Sequence, residues 1–308
     1  MYSRTFRSKV VGSSFTLPVM AVVTSLLWLL TGPADQWRWL TLALTALTTY
    51  IVVELNNRHA LLRIRSRLVS SAFLLFMAAS PFLHTHWQAA ALMFAFALSY
   101  AMLFQTYQRV RAEGYVFHAF LFLGLGSLWF PPMAVMALLY FFSMLFQLRN
   151  FTWRTWVAGL LGLAVPYWFY VAYAIYRGQF LSAFDYLRPW LCWERPAYEA
   201  VSEQQWVALG VVGFFALVSL VHFFRTAYND KIRTRMLFYV VVTQECVLAA
   251  GVAALPHYVD IWLALLLLNS SILIAHYYAL ARGRFFNFWF NLSLLAVIAW
   301  GIYNYLQL

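Results

Sequence analysis

The chain reads as long apolar runs separated by short polar or basic stretches, with no sustained alternation of apolar and polar positions. A membrane barrel would alternate with period two, whereas buried or lipid-facing helices show continuous runs. Eleven runs stand out, near 15–31, 38–54, 68–83, 88–104, 115–130, 132–147, 156–176, 205–224, 236–254, 259–280 and 287–305. A helix needs about 20 residues to cross a ~30 Å hydrocarbon layer. The pattern therefore predicts an all-α, polytopic transmembrane bundle of about eleven spans, forming one domain over 1–308. Proline removes a backbone donor and clashes with the preceding turn, so Phe130-Pro131-Pro132 predicts a break, read as a hairpin or a re-entrant helix. Pro166 predicts a kink in its own span.

Composition agrees with this pattern. Of the 308 residues 64% are hydrophobic and only 10% charged, against about 45–50% and about 25% in soluble domains. So few charges cannot cover so much apolar surface in water, and helices satisfy their own backbone groups in lipid. No small-residue cleavage site follows the first run, so no cleavable signal is expected. Cys246 lies inside an apolar run, and no bond between Cys192 and Cys246 is expected.

Charge then orients the spans. With the N-terminus inside, 17 of the 21 Lys and Arg residues fall in inner segments, leaving only Arg38, Arg177, Arg188 and Arg195 outside. Basic residues concentrate in cytoplasmic loops, which predicts a cytoplasmic N-terminus and a periplasmic C-terminus. Two basic hexamers, "RIRSRL" (63–68) and "KIRTRM" (231–236), align at an offset of 168 residues and both fall inside. They read as topological signals attracted to anionic headgroups. The alternative is a parallel repeat relating 63–104 and 231–280. The net charge of +11 needs no nucleic acid to explain it.

Ionisable groups within the bilayer are expensive and mark candidate sites. Glu245, in "VVTQECVL", stands near mid-span. Counting from the turn at His257, Glu245 lies 12 residues before and Asn269 12 after, so the two share one depth on adjacent antiparallel helices. A protonated Glu245 can then donate to Asn269 of "LNSS", with Ser270 beside it, either as interhelical glue or as a proton or substrate site. Glu54 and Arg58 form an i,i+4 pair if their helix continues, although Asn56 and Asn57 look like a helix end. His84, His86, His257 and Asp260 are metal-ligating residue types on two outer loops without a recognised ligand spacing, so no metal site is assigned.

The longest hydrophilic connection, 177–204, is outer and carries Arg177, Arg188 and Arg195 among Trp190, Trp193 and Tyr198, with Asp185, Glu194, Glu199 and Glu203. Arginine forks suit phosphate oxygens, aromatic faces pack on sugars, and a carboxylate can act as general base. Arg188, Arg195, Trp190, Trp193, Asp185 and Glu194 are the candidate substrate-binding residues. The alternative is an interfacial segment whose aromatics lie at headgroup level. No GxxxxGK[ST], HExxH, CxxC or GxSxG motif occurs, and no cofactor is expected. The first outer loop, "GPADQW" with Asp35, is too short for the long acidic loop of many-helix glycosyltransferases.

The runs "ELNNRHALLRIRSRL", "LWFPPMAVMALLYF" and "LNSSILIAHYYALARGRFF" resemble an uncharacterised family of multi-pass inner-membrane proteins of Bacteroidota, a likeness that covers most of the chain after residue 50. The resemblance implies the inner membrane of a diderm bacterium and transfers no catalytic residue. Two classes of function are expected. One handles a lipid-linked envelope precursor, such as a polyprenyl-linked glycan, at the periplasmic face as a polymerase, ligase or flippase. The other is a non-enzymatic subunit of a membrane complex, or a small-solute transporter with Glu245 as its intramembrane polar site. A groove open to lipid beside the 177–204 loop favours the first; a closed polar cavity around Glu245 favours transport.

Overall fold

Where both surroundings and core are apolar, a chain folds as helices because each backbone N–H finds its partner within the same segment. A computed structural model describes residues 5–31, 36–180, 182–187, 190, 196–281 and 283–307. Their regular structure is helical throughout, with no strand among them. The α-helices are α1 (Phe6–Gly12), α2 (Thr16–Leu30), α3 (Gln36–His59), α4 (Leu68–Ala79), α5 (Trp87–Leu103) and α6 (Glu113–Trp129). They continue as α7 (Val135–Phe146), α8 (Trp153–Tyr176), α9 (Glu203–Thr226), α10 (Ile232–Ala254), α11 (Val259–Leu280) and α12 (Arg284–Leu306).

Among the described residues seven helices are long and apolar enough to cross a membrane: α3, α5, α8, α9, α10, α11 and α12. Helices α1 and α2 meet that test only as a pair, bent by 91° at their break. The protein is thus a multi-pass helical chain whose apolar helices suit a membrane. Proline sets the short members. Helix α4 stops at Ala79, earlier than the expected 83, because Pro81 opens a 3-10 turn over Pro81–Thr85. A second 3-10 turn at Pro131–Ala134 separates α6 from α7, where the break was expected. Helix α3 runs through Asn56 and Asn57 to His59, and Ala60 takes the positive φ of 47° that ends it. Asn56 does not cap that end; it donates to the carbonyl of Ser66 at 3.0 Å, and the helix continues far enough for Arg58 to pair with Glu54.

The helices form two compact units, residues 1–93 with 197–308 and residues 94–196. In the first, α11 is the central element, with nearly every residue from Val259 to Tyr278 buried. Its polar side chains therefore point into neighbouring helices rather than into lipid. Contacts identify the two ends of this unit. One carries Arg63 paired with Asp230 at 2.5 Å and Arg233 bonded to His59 at 3.0 Å. The other carries Gln205 donating to Asp260 at 2.6 Å, Tyr198 to Ala253 at 2.8 Å and Asn304 to Ala79 at 2.7 Å.

The second unit is built on the close approach of α6 and α8. A Cβ on Gly162 would stand 2.3 Å from the Phe117 carbonyl oxygen, so only glycine fits there. Helix α8 passes through Pro166 without interruption, the ring lying against Gly124 of α6. A capping box of Thr152 and Thr155 starts α8, and Tyr167 donates across to Ser127 at 2.9 Å.

Candidate functional site

The Glu245 carboxylate is reached entirely from α11. Asn269 Nδ2 donates to Oε2 and Ser270 Oγ donates to Oε1, each at 2.5 Å. Asn269 Nδ2 also donates to the Val241 carbonyl one turn earlier on α10, at 3.0 Å, which fixes the amide with its nitrogen toward the acid. The expected direction is thereby reversed, with Asn269 as donor and Glu245 as acceptor. Ser271 instead donates to Leu268 on its own helix. Helix α10 also begins earlier than expected, at Ile232, with Arg233 and Arg235 in its first turn. No cation pairs with Glu245 among the described residues.

Beside this carboxylate runs an open apolar groove of about 350 Å³ between α9 and α10, lined by Trp206, Leu209, Gly213 and Leu217 on one wall and Glu245 and Ala249 on the other. Among the described residues Glu245 is its only carboxylate. Trp206, near the start of α9, has its ring 6.3 Å from that of Tyr198, and Tyr198 closes onto the end of α10. The groove thus begins where the 177–204 connection ends and runs alongside the acid. Helix α9 starts there because Ser202 and Gln205 form a capping box.

The connection itself is described in part. Asp185 is exposed on a short 3-10 turn, Ser182–Leu187, and Trp190 packs edge-on against Phe130 at 5.4 Å. Arg188, Trp193, Glu194 and Arg195 lie outside the described residues, as does Cys192.

The three outer histidines and Asp260 do not come together as a set. His84 is fully buried and stacks on Trp28 at 3.4 Å between ring centroids, with Nε2 against the Met77 carbonyl at 3.0 Å. His86 approaches Asp260 at 3.8 Å, whereas His257 stacks edge-on with its neighbour Tyr258. Among the described residues no group of three or more His, Cys, Asp or Glu is placed to hold a metal ion.

A second polar site was not anticipated. Asp230, which immediately precedes the second hexamer, takes Arg63 of the first on Oδ1 at 2.5 Å and His276 of α11 on Oδ2 at 3.2 Å. Burial alone would raise its carboxyl, but the bonds from His276 and Arg63 outweigh that and hold it below the usual carboxylate range. The rings of Phe238 and Phe223 enclose His276 at 4.4 and 5.7 Å. The two hexamers thus meet through one carboxylate, although residues 63–67 form a loop and Ile232–Met236 is helix. The signal available was an acid standing directly before a basic run. Gln244, fully buried beside Glu245, was likewise passed over.

No family model, curated protein or solved structure matches this chain.

Proposed function

We propose that this is a bacterial inner-membrane protein that handles a lipid-linked envelope precursor from the periplasmic face, with the precursor's chain seated in the α9/α10 groove. The observation that carries the reading is the groove itself: open, apolar and starting at Trp206 beside the end of the 177–204 connection. A polyprenyl chain suits such a wall, and the sequence of the connection that leads to it includes arginines at 188 and 195, whose forks suit phosphates. Eleven crossings with the N-terminus inside belong to the same proposal. Helix α4 with its 3-10 turn covers 68–85, which is about 28 Å at 1.5 and 2.0 Å per residue and close to the ~30 Å core.

Gly213 provides the test, because a Cβ there meets nothing within 4 Å while the residue lines the groove. Gly213→Leu fills the space without a clash and favours the helix. Polyprenyl-phosphate lipid copurifying with the variant should fall at least tenfold at unchanged thermal stability, and Arg188→Ala/Arg195→Ala should act alike. Unchanged lipid content in folded Gly213→Leu protein contradicts the proposal.

A second reading, proton-coupled transport, is favoured by one detail of Glu245. Its partners are an amide and a hydroxyl rather than a cation. The Ser270 hydroxyl donates to the ionised acid and accepts from the neutral one after a single rotation, so the site holds either form. Under this reading Glu245→Gln folds normally and abolishes transport; under the lipid reading it leaves lipid copurification unchanged.

A further inference from the structure

We propose that the first unit carries a separate site for an anionic phospholipid, at the end where the two hexamers meet. The site is an apolar groove of about 430 Å³ where α1, α2, α4, α11 and α12 converge, with Val19, Ala72, Leu75 and Leu294 among its walls. It is distinct from the α9/α10 groove: Phe215 of α9 faces this one while Val212 and Ala216 face the other. What commits the occupant is the charge at its mouth.

Helix α1 lies across the opening at 91° to α2. It is pinned there by Arg7, which donates to the Ala281 carbonyl, by Thr5 bonded to Asn287 at 3.3 Å, and by the Phe6 ring 6.3 Å from that of Phe290. Phe6 and Val10 line the groove, and so does Lys9, which is exposed. A short helix that carries apolar and basic side chains together at the mouth of an apolar groove suits the headgroup level. Among the described residues none of the ion pairs involves Lys9, so its side chain is available to a ligand. An acyl chain in the groove with its phosphate at Lys9 satisfies both the apolar wall and the unpaired cation. A zwitterionic headgroup brings the same phosphate together with an ammonium of its own, which offsets the attraction to Lys9.

The test uses the full-length protein in a neutral detergent, offered phosphatidylglycerol or phosphatidylcholine of equal chain length, with retained lipid counted by native mass spectrometry. Two variants separate charge from volume. Lys9→Gln keeps the helix and removes the charge; Val19→Trp fills the groove from a position already 57% exposed. The wild type should retain phosphatidylglycerol in preference. Lys9→Gln should reduce that preference about fivefold, the effect of about 1 kcal/mol per basic residue at an anionic surface, while phosphatidylcholine retention stays constant. Val19→Trp should lower retention of both lipids. An unchanged lipid ratio in Lys9→Gln, or full retention in Val19→Trp, overturns the site.

Discussion

Two carboxylates reach α11, and they are held in opposite ways. Asp230, at the end of the first unit, is clasped by Arg63 and His276 and joins two loops far apart in sequence. Glu245, within α10, is held by the neutral donors Asn269 and Ser270 and lines an open groove. A buried carboxylate held by a guanidinium and an imidazole from two other elements is committed to the structure. A carboxyl matched only by neutral donors can gain or lose its proton without leaving a cation stranded. The difference separates a structural latch from a candidate working group.

The largest expected effect tests the latch. Asp230→Ala leaves the buried His276 without its acceptor, while the 36% exposed Arg63 turns to solvent, so the loss should fall below the ~3–5 kcal/mol of a fully buried pair. Thermal unfolding in detergent should drop accordingly, and a double-mutant cycle with Arg63→Ala should show strong coupling. Additive losses would mean that the two hexamers are not tied through this carboxylate.

Acid sharpens the comparison next. Asp230 has a lowered folded value, so its contribution is complete at neutral pH and is lost only below the ordinary carboxylate value of 3.8. Thermal unfolding of the wild type should therefore keep its midpoint down to that value and fall below it, and Asp230→Asn should flatten the fall.

Smaller effects belong to Glu245. Glu245→Leu removes two interhelical bonds that are each worth about 0.6–2 kcal/mol in a membrane, and it also removes the cost of a buried acid. Its melting temperature should therefore move by only a few degrees in either direction. Glu245→Gln should move it least, since Ser270 and the amide can still bond. A collapse of folding in Glu245→Gln would place this residue with Asp230 and abolish the distinction.

Much of the helix pattern was legible because continuous apolar runs are a direct consequence of lipid on the outside. Two runs of the first unit, 236–254 and 259–280, match α10 and α11 to within a few residues. The Glu245–Asn269 contact was legible too, since equal counts from the turn at His257 put the two residues at one depth. What faced what was not legible. In a helix apolar on every side, such as α11, the stripe that reveals the core face of a soluble helix is missing. The meeting of Asp230 with Arg63 depends on how α3, α4, α10 and α11 pack side by side, which no local pattern encodes. Pro81 signalled the end of α4 but not how early it comes. Asn56 was misread because its partner, the Ser66 carbonyl, lies across a loop.

The central claim, that the α9/α10 groove seats a lipid-linked ligand, is met most directly by photocrosslinking in native membranes. A photoreactive residue at Leu217, which lines the groove and is 59% exposed, is compared with one at Ile298 of α12, which is 44% exposed and lies outside the groove. Mass spectrometry of the adducts should find polyprenyl-phosphate species at 217 and only bulk phospholipid at 298. The same bulk phospholipid profile at both positions would contradict the account.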